Sequence, residues 1–220
     1  MEVGATGADS GTTGNQPVGG GATPTVALHL QDSDRLVAKR VIETFHYTHS
    51  VPSGKSHYVK FGDALMVWSI PANKNIAAFV LWDGAKVWEL ARLYAPDGHQ
   101  KNLLTMAIKA GIALIKRLEH PDALVSYADP NVAHLGGVYR AASWVYLGQC
   151  SESRNYIDGG GRVFPRRAFH SGKNSMTKKQ IEGLGYTELK LPGKHRFAKP
   201  LSKRASSVVF RRADVLVKAK

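Results

Sequence analysis

The sequence predicts an α+β domain in which helices cover a central, mostly antiparallel sheet. Three observations point there: strand-length apolar runs crowd into residues 57–94, helix-period segments flank them, and turn residues occupy the junctions. The first helix is expected from about Ser33 to Phe45, capped by Asp32 or Ser33. Leu36, Val37, Val41, Ile42 and Phe45 would share its broad apolar face. Strand character follows at 57–61, 64–70, 75–82 and 86–94, separated by Gly62-Asp63, Pro71-Ala72-Asn73-Lys74 and Asp83-Gly84. Asp-Gly is a strong hairpin signal, so an antiparallel meander is expected. Residues 100–118 return to the helical period, with Leu103, Leu104, Ala107, Ile108, Ile112 and Ile115 on a wide stripe. A strand at Leu124–Tyr127, a helix over 131–142 and a strand at Trp144–Gln149 complete the order.

Composition bounds what this domain does. Residues 1–26 are Gly, Thr, Ala and Ser with Pro17 and Pro24, a composition that cannot offset its ordering entropy, so a disordered leader is expected. The core is expected over 27–160 and a basic C-terminal extension over 161–220, supplying part of the core and nucleic-acid contacts. A lone cysteine, Cys150, excludes an internal disulfide and a cysteine-rich zinc module, and suggests a reducing compartment. No apolar run approaches the ~20 residues of a membrane span, and no secretion signal opens the chain, so an intracellular protein with no membrane partner is expected.

The net charge of +13 is unevenly placed. Residues 1–161 carry 14 basic and 14 acidic side chains, whereas 162–220 carry 16 and 3. Such self-repulsion suits a polyphosphate partner, which releases counterions when bound. Arg166, Arg167, Lys194, His195 and Arg196 are interleaved with Phe164, Phe169, Tyr186 and Phe197, which suggests stacking of bases beside phosphate contacts. A generally basic, solubilising surface is the plainer reading.

The densest chemistry lies in Phe45-His46-Tyr47-Thr48-His49-Ser50-Val51-Pro52-Ser53-Gly54-Lys55-Ser56. Pro52 and Gly54 keep this from being a regular helix, so its imidazoles, phenol and hydroxyls hang from a shaped loop. Gly54-Lys55-Ser56 is not a phosphate loop, because the upstream glycine is absent.

The element order resembles the GNAT acyltransferase fold, and Val138-Tyr139-Arg140-Ala141-Ala142-Ser143-Trp144 looks like the end of such a domain. Pro96-Asp97-Gly98-His99-Gln100-Lys101-Asn102 lacks the glycine-rich loop with which GNAT enzymes cradle a cofactor pyrophosphate. More narrowly, the chain resembles the phage Mom-type DNA modification proteins. The pieces that carry this are His46–Lys55, Glu89-Leu90-Ala91-Arg92-Leu93, Ser126-Tyr127-Ala128-Asp129, Gly137–Ala141 with Trp144, and Lys194-His195-Arg196-Phe197. The resemblance implies transfer of a carbamoylmethyl (acetamido) group to adenine N6 in double-stranded DNA, inside the host cytoplasm, shielding phage DNA from restriction. Iron is a candidate cofactor; acetyl-CoA or another acyl or glycyl donor is a candidate co-substrate.

On that reading the base is extruded, His46 accepts a proton, Tyr47 stacks on or bonds the base, and Tyr139 acts as general acid. Asp129 accepts from N6–H, orients His46 or ligates a metal together with His46, and His49 or His57 would complete two histidines and a carboxylate. Arg92 would hold a donor carboxylate or phosphate, with Ser126 and His49 as further substrate contacts. Arg140 joins Arg166, Arg167, Lys194, His195 and Arg196 on DNA. Plainer roles stand beside these: His46 as a helix cap, Tyr139 as a core aromatic, Asp129-Pro130 as a turn, and Arg92 paired with Glu89 or Asp97. A non-catalytic nucleic-acid-binding protein on a degraded acyltransferase fold, and an ordinary GNAT N-acetyltransferase, are the alternatives.

Overall fold

Strand β1 (Leu28–Leu30) is short and lies at the sheet edge, and helix α1 (Asp32–Phe45) follows it. The computed structural model describes residues 26–170 and 175–218, so the expected leader lies, Val26 apart, outside the described residues. Strands β2 (Ser56–Phe61) and β3 (Ala64–Ser69) form a hairpin closed by Gly62-Asp63. Helix α2 (Ile76–Val80) then leads to β4 (Val87–Tyr94), the long helix α3 (Leu103–Glu119) and β5 (Ala123–Ala128). A 3-10 turn at Pro130–Val132 and the short α4 (Gly137–Ala141) precede β6 (Val145–Gln149). A small sheet comes next, from β7 (Ser153–Ile157), β8 (Val163–Pro165) and, after α5 (Lys178–Gly183), β9 (Thr187–Leu191). Strand β10 (His195–Pro200) and helix α6 (Lys203–Lys218) end the described chain.

The main sheet runs β1-β2-β3-β4-β5-β10-β6, and only β4 and β5 pair in parallel. Helices cover both faces. On one, α3 presses Leu103, Ala107, Ile108 and Ile115 against Met66, Trp68, Trp88 and Leu124, with Tyr139, Trp144 and Phe197 in the same cluster. On the other, α2 and α6 bring Ile76, Val80, Ala205 and Val209 against Val87, Val125 and Ala198. Each fully buried Val, Leu, Ile, Phe or Met among these contributes about 1.5–3 kcal/mol of transfer free energy.

Four expectations are corrected. Residues 75–82 are helical, not a strand, because Ile76 and Val80, four apart, share one buried face; Asp83-Gly84 therefore closes no hairpin. The meander's fourth strand is β1, not 75–82, and α1 separates it from β2. The helix expected over 131–142 is broken: Ala133 and Gly136 both have positive φ, and only Gly137–Ala141 is helical. In α1 only Ala38 and Ile42 are buried, while Leu36, Val37 and Phe45 are exposed, since the helix covers only the narrow cluster of Tyr58 and Val67.

The basic extension is more structural than its charge suggests. Strand β10 sits between β5 and β6 with Phe197 and Ala198 fully buried, so the core closes only with the last quarter of the chain. Its aromatics also pack on one another: Phe164, Phe169 and Tyr186 meet edge-to-face at 4.9–6.2 Å.

Candidate functional site

Strands β4 and β5 pair from Val87/Ala123 to Leu90/Ser126 and no further. Just there β4 carries a bulge, for Val67 pairs with Arg92 and Trp68 with Leu90, leaving Ala91 as an extra residue. A bulge reverses side-chain alternation, so Glu89 and Arg92, three apart, both reach the same cleft. The sheet thus opens at the middle of β4.

Two cavities flank this opening. An inner one of about 300 Å³ is lined by His46, Tyr47, Ala91, Leu93, Leu104, Tyr127, Ala128 and residues 133–139. An outer cleft of about 1030 Å³ is lined by Tyr47, Ser50, Lys55, Glu89, Ala91, Arg92, Asp129 and Lys194, with Asn155, Val163 and Pro165 of the small sheet. Tyr47 and Ala91 belong to both. Gly136 makes the inner wall possible: it has φ +80°, and a Cβ there would strike the Phe197 ring.

His46 is buried at the end of α1. The fixed Thr48 N–H donates to its Nδ1 at 3.2 Å, and the Thr48 hydroxyl lies 2.9 Å away. An Nδ1 that accepts a backbone N–H carries no proton, so the neutral ring is protonated on Nε2. Burial, reinforced by Arg92, His134, Lys194 and His49, holds its pKa down at about 4. The expected proton acceptor is therefore a neutral hydrogen-bond donor at Nε2. His46 also lies 4.5 Å, ring to ring, from Tyr47, whose other neighbours are His134 at 5.2 Å and the Lys194 ammonium at 5.9 Å.

Asp129 directly follows β5 and caps the 3-10 turn, accepting from Asn131 N at 3.0 Å and Asn131 Nδ2 at 2.8 Å. Lys194 Nζ is 3.1 Å from its other oxygen. Burial raises the Asp129 pKa, but Lys194 and Asn131 more than reverse this, so the carboxyl stays below its ordinary value. Lys194 is held in place because Cys150 N donates to its carbonyl at 2.8 Å and because Gly193 has no Cβ to strike the Cys150 carbonyl.

Arg92 is turned to the loop. Its Nε donates to Ser50 O at 2.7 Å and Nη2 to Ser50 Oγ at 3.3 Å, tying the His46–Ser53 segment to β4. Tyr139 is nearly fully buried in the inner wall, with its hydroxyl 2.8 Å from Ser126 Oγ. The Ser126 hydroxyl also meets the Leu90 carbonyl at 2.8 Å, which can only accept, so the phenol supplies the second proton. Burial pushes the Tyr139 pKa up to about 12.

Other expected contacts are placed elsewhere. Ser126 is fully buried and lines neither cavity; its hydroxyl joins Tyr139 to β4. His49 donates from Nδ1 to the Glu43 carbonyl at 3.1 Å and closes the end of α1. Arg140 donates to the Leu135 carbonyl at 2.8 Å and lies over Tyr146 and Phe197. His195 Nδ1 is bonded to Tyr146 Oη at 3.0 Å, and Arg196 lies over Phe79 at 4.1 Å on the face of α2. Arg166 is exposed in the turn after β8, and the side chain of Arg167 lies outside the described residues.

The residues around His46 and Asp129 do not fit a cation. The Asp129 carboxylate is taken up by an ammonium and an amide, and among the described residues no group of three or more His, Cys, Asp or Glu side chains is arranged to hold a metal ion.

Glu89 is the residue that the sequence reading did not place in the site. It lies on β4 opposite Val125 and Ser69, with no hydrogen bond or ion pair of its own given by the described neighbours. Burial pushes its carboxyl pKa up, and Arg92 and Lys194 offset this only in part.

A sheet that parts between two parallel strands, with a cavity on each side of the gap, defines a GNAT-like fold. The chain belongs to the Mom protein family, whose model matches residues 27–216. Among solved structures it is similar to a Bacillus subtilis acetyltransferase in complex with CoA, at 9% identity and a TM-score of 0.42 over 81% of this chain and 99% of that one. It is also similar to the NatC complex bound to Gag peptide and CoA, at 9% identity and 0.43 over 80% and 98%. No curated protein matches the chain in sequence. Among the described residues no helix is long and apolar enough to cross a membrane.

Proposed function

We propose that this protein is a DNA-modifying transferase that places a carbamoylmethyl (acetamido) group on adenine N6 in phage DNA within the host cell, protecting that DNA from restriction. The observation that carries this is the meeting of the two cavities at Tyr47 and Ala91, with the raised carboxyl of Glu89 on the outer side. One chamber then takes the donor and the other the everted base, so the two substrates approach through the gap.

Adenine N6 is a poor nucleophile because its lone pair is delocalised into the ring, so the base must leave the stack and lose a proton as the bond from N6 to the carbamoylmethyl carbon forms; the donor is then one that carries a leaving group on that carbon, whose bond breaks as the group departs with the electron pair. Glu89 suits the proton's destination: a carboxyl whose pKa is raised by burial is a stronger base than an ordinary surface glutamate. Tyr47 offers the base a ring face. His46, neutral and protonated on Nε2, suits a hydrogen bond to the donor's carbonyl oxygen, polarising it without giving up the proton. Asp129 fixes Lys194 at the cleft rim, where the ammonium meets a phosphate. Tyr139 and Ser126 hold β4 and β5 at the width of the gap.

The test is a nucleoside digest of plasmid DNA from cells that express the protein. A nucleoside heavier than deoxyadenosine is expected with wild type and not with Glu89→Gln. The second reading, a DNA-binding protein without chemistry, is favoured by the single glycine between Pro96 and Asn102; an unmodified digest together with intact DNA binding would select it.

A further inference from the structure

The small sheet is inserted between β6 and β10 and leans over the outer cleft. Its pairing separates two faces. Tyr156 and Phe164 lie opposite one another and turn toward the aromatic cluster with Phe169 and Tyr186, the small sheet's own core. Val163 and Pro165, on either side of Phe164, take the opposite face and line the cleft with Asn155. Strand β8 is an edge strand, and Val163 on it is 46% exposed.

This edge is stiff. Asp158 Oδ1 accepts from Gly160 N at 3.0 Å and Arg162 N at 2.8 Å, and Asp158 N donates to the Arg162 carbonyl at 3.1 Å. The carboxylate next to the edge is thus spent on its own turn, and Arg162 lies over the Phe164 ring at 5.0 Å on the face away from Val163, while Arg166 is exposed in the turn that follows β8. An exposed branched apolar side chain on a sheet edge, at the mouth of a cleft that also holds the Lys194 ammonium, suits a duplex that has lost a base from its stack. Proteins that unstack DNA insert apolar wedges of this kind.

We propose that β8 is such a wedge: Val163 fills the space left by the extruded adenine, and the exposed Arg166 holds a phosphate beside it. This rests on the adenine-modification reading above and adds to it the element that keeps the base out.

The test is fluorescence anisotropy of the full chain on a labelled duplex, either fully paired or carrying one abasic site. Wild type should prefer the abasic duplex by about tenfold, because unstacking has already been done there. Val163→Gly should bring that preference below about twofold with little change on paired DNA, and Val163→Phe should keep it. Arg166→Ala should weaken both duplexes alike and lower the salt slope by about one. A Val163→Gly protein that keeps the full preference overturns the wedge. If wild type binds both duplexes equally yet its plasmid contains the heavier nucleoside, the wedge falls and the modification stands. If wild type binds neither duplex, the DNA reading fails and the wedge with it.

Discussion

Glu89 and Glu119 are both carboxylates sunk into this domain, and their surroundings are opposite. Glu119, in the last turn of α3, receives His57 Nε2 at 2.7 Å, Lys55 Nζ at 2.6 Å and Lys86 Nζ at 3.3 Å. Burial alone would raise its pKa, but these donors hold it down at about 2. The His57 ring passes the network on to His29 at 2.9 Å and stacks on Trp88 at 5.0 Å, so β1, β2, β4 and α3 meet there. Glu89 is half-buried at the cleft without such donors, and partial burial pushes its carboxyl up. The first is arranged to stay ionised and fasten strands; the second is left short of partners beside an open cleft, as a group that must take and release a proton would be.

Several substitutions bear on that contrast. The largest effect is expected from Glu89→Gln, which should lower the yield of modified nucleoside by about 10²–10⁴-fold while leaving the urea midpoint near wild type. Glu119→Ala should do the reverse, costing about 2 kcal/mol by urea titration with chemistry largely kept, since the two lysines that it leaves unpaired are half in solvent.

Acid titration of stability should separate two further groups. Glu119 has a folded pKa depressed to about 2, so its contribution is present above the unfolded carboxylate value and is lost as pH falls from about 4.5 to 2. His46 has a folded pKa of about 4 against 6.5 unfolded, so the fold holds it neutral and loses stability as pH falls from 6.5 to 4. His46→Asn, which keeps an acceptor for Thr48 N–H, should flatten the stability profile in the upper window and leave the lower one alone. The smallest effect is expected from Arg92→Lys. A single ammonium cannot reach both Ser50 oxygens, so about 1 kcal/mol should be lost and the Ser50–Gly54 loop should be cleaved faster in limited proteolysis.

Periodicity made α1, β2, β3, α3, β5 and β6 legible, because each carries its pattern within its own residues. It misled at Ile76–Val80, where a short apolar run fits either period and only the packing of Ile76 beside Val80 decides. Strands β1 and β10 depend on partners far along the chain: Leu28–Leu30 is a strand because β2 lies beside it, and the basic β10 enters the core because β5 and β6 leave a place between them. In the site, the grouping of Tyr47, Arg92, Asp129 and Lys194 on one cleft follows the motifs. The inward turn of Ser126, the capping role of His49 and the tautomer of His46 depend on hydrogen bonds that no spacing encodes. Glu89 was visible as an acidic residue between Val87-Trp88 and Leu90-Ala91 and as part of the Glu89–Leu93 motif, but it reads equally well as a surface partner for Arg92.

The most direct test is mass spectrometry of nucleosides from plasmid DNA grown with wild type or with Glu89→Gln at matched protein levels. The account predicts a deoxyadenosine derivative heavier by one carbamoylmethyl group in the first sample and its loss in the second. Equal yields from the two proteins, or unaltered deoxyadenosine in both, would contradict it.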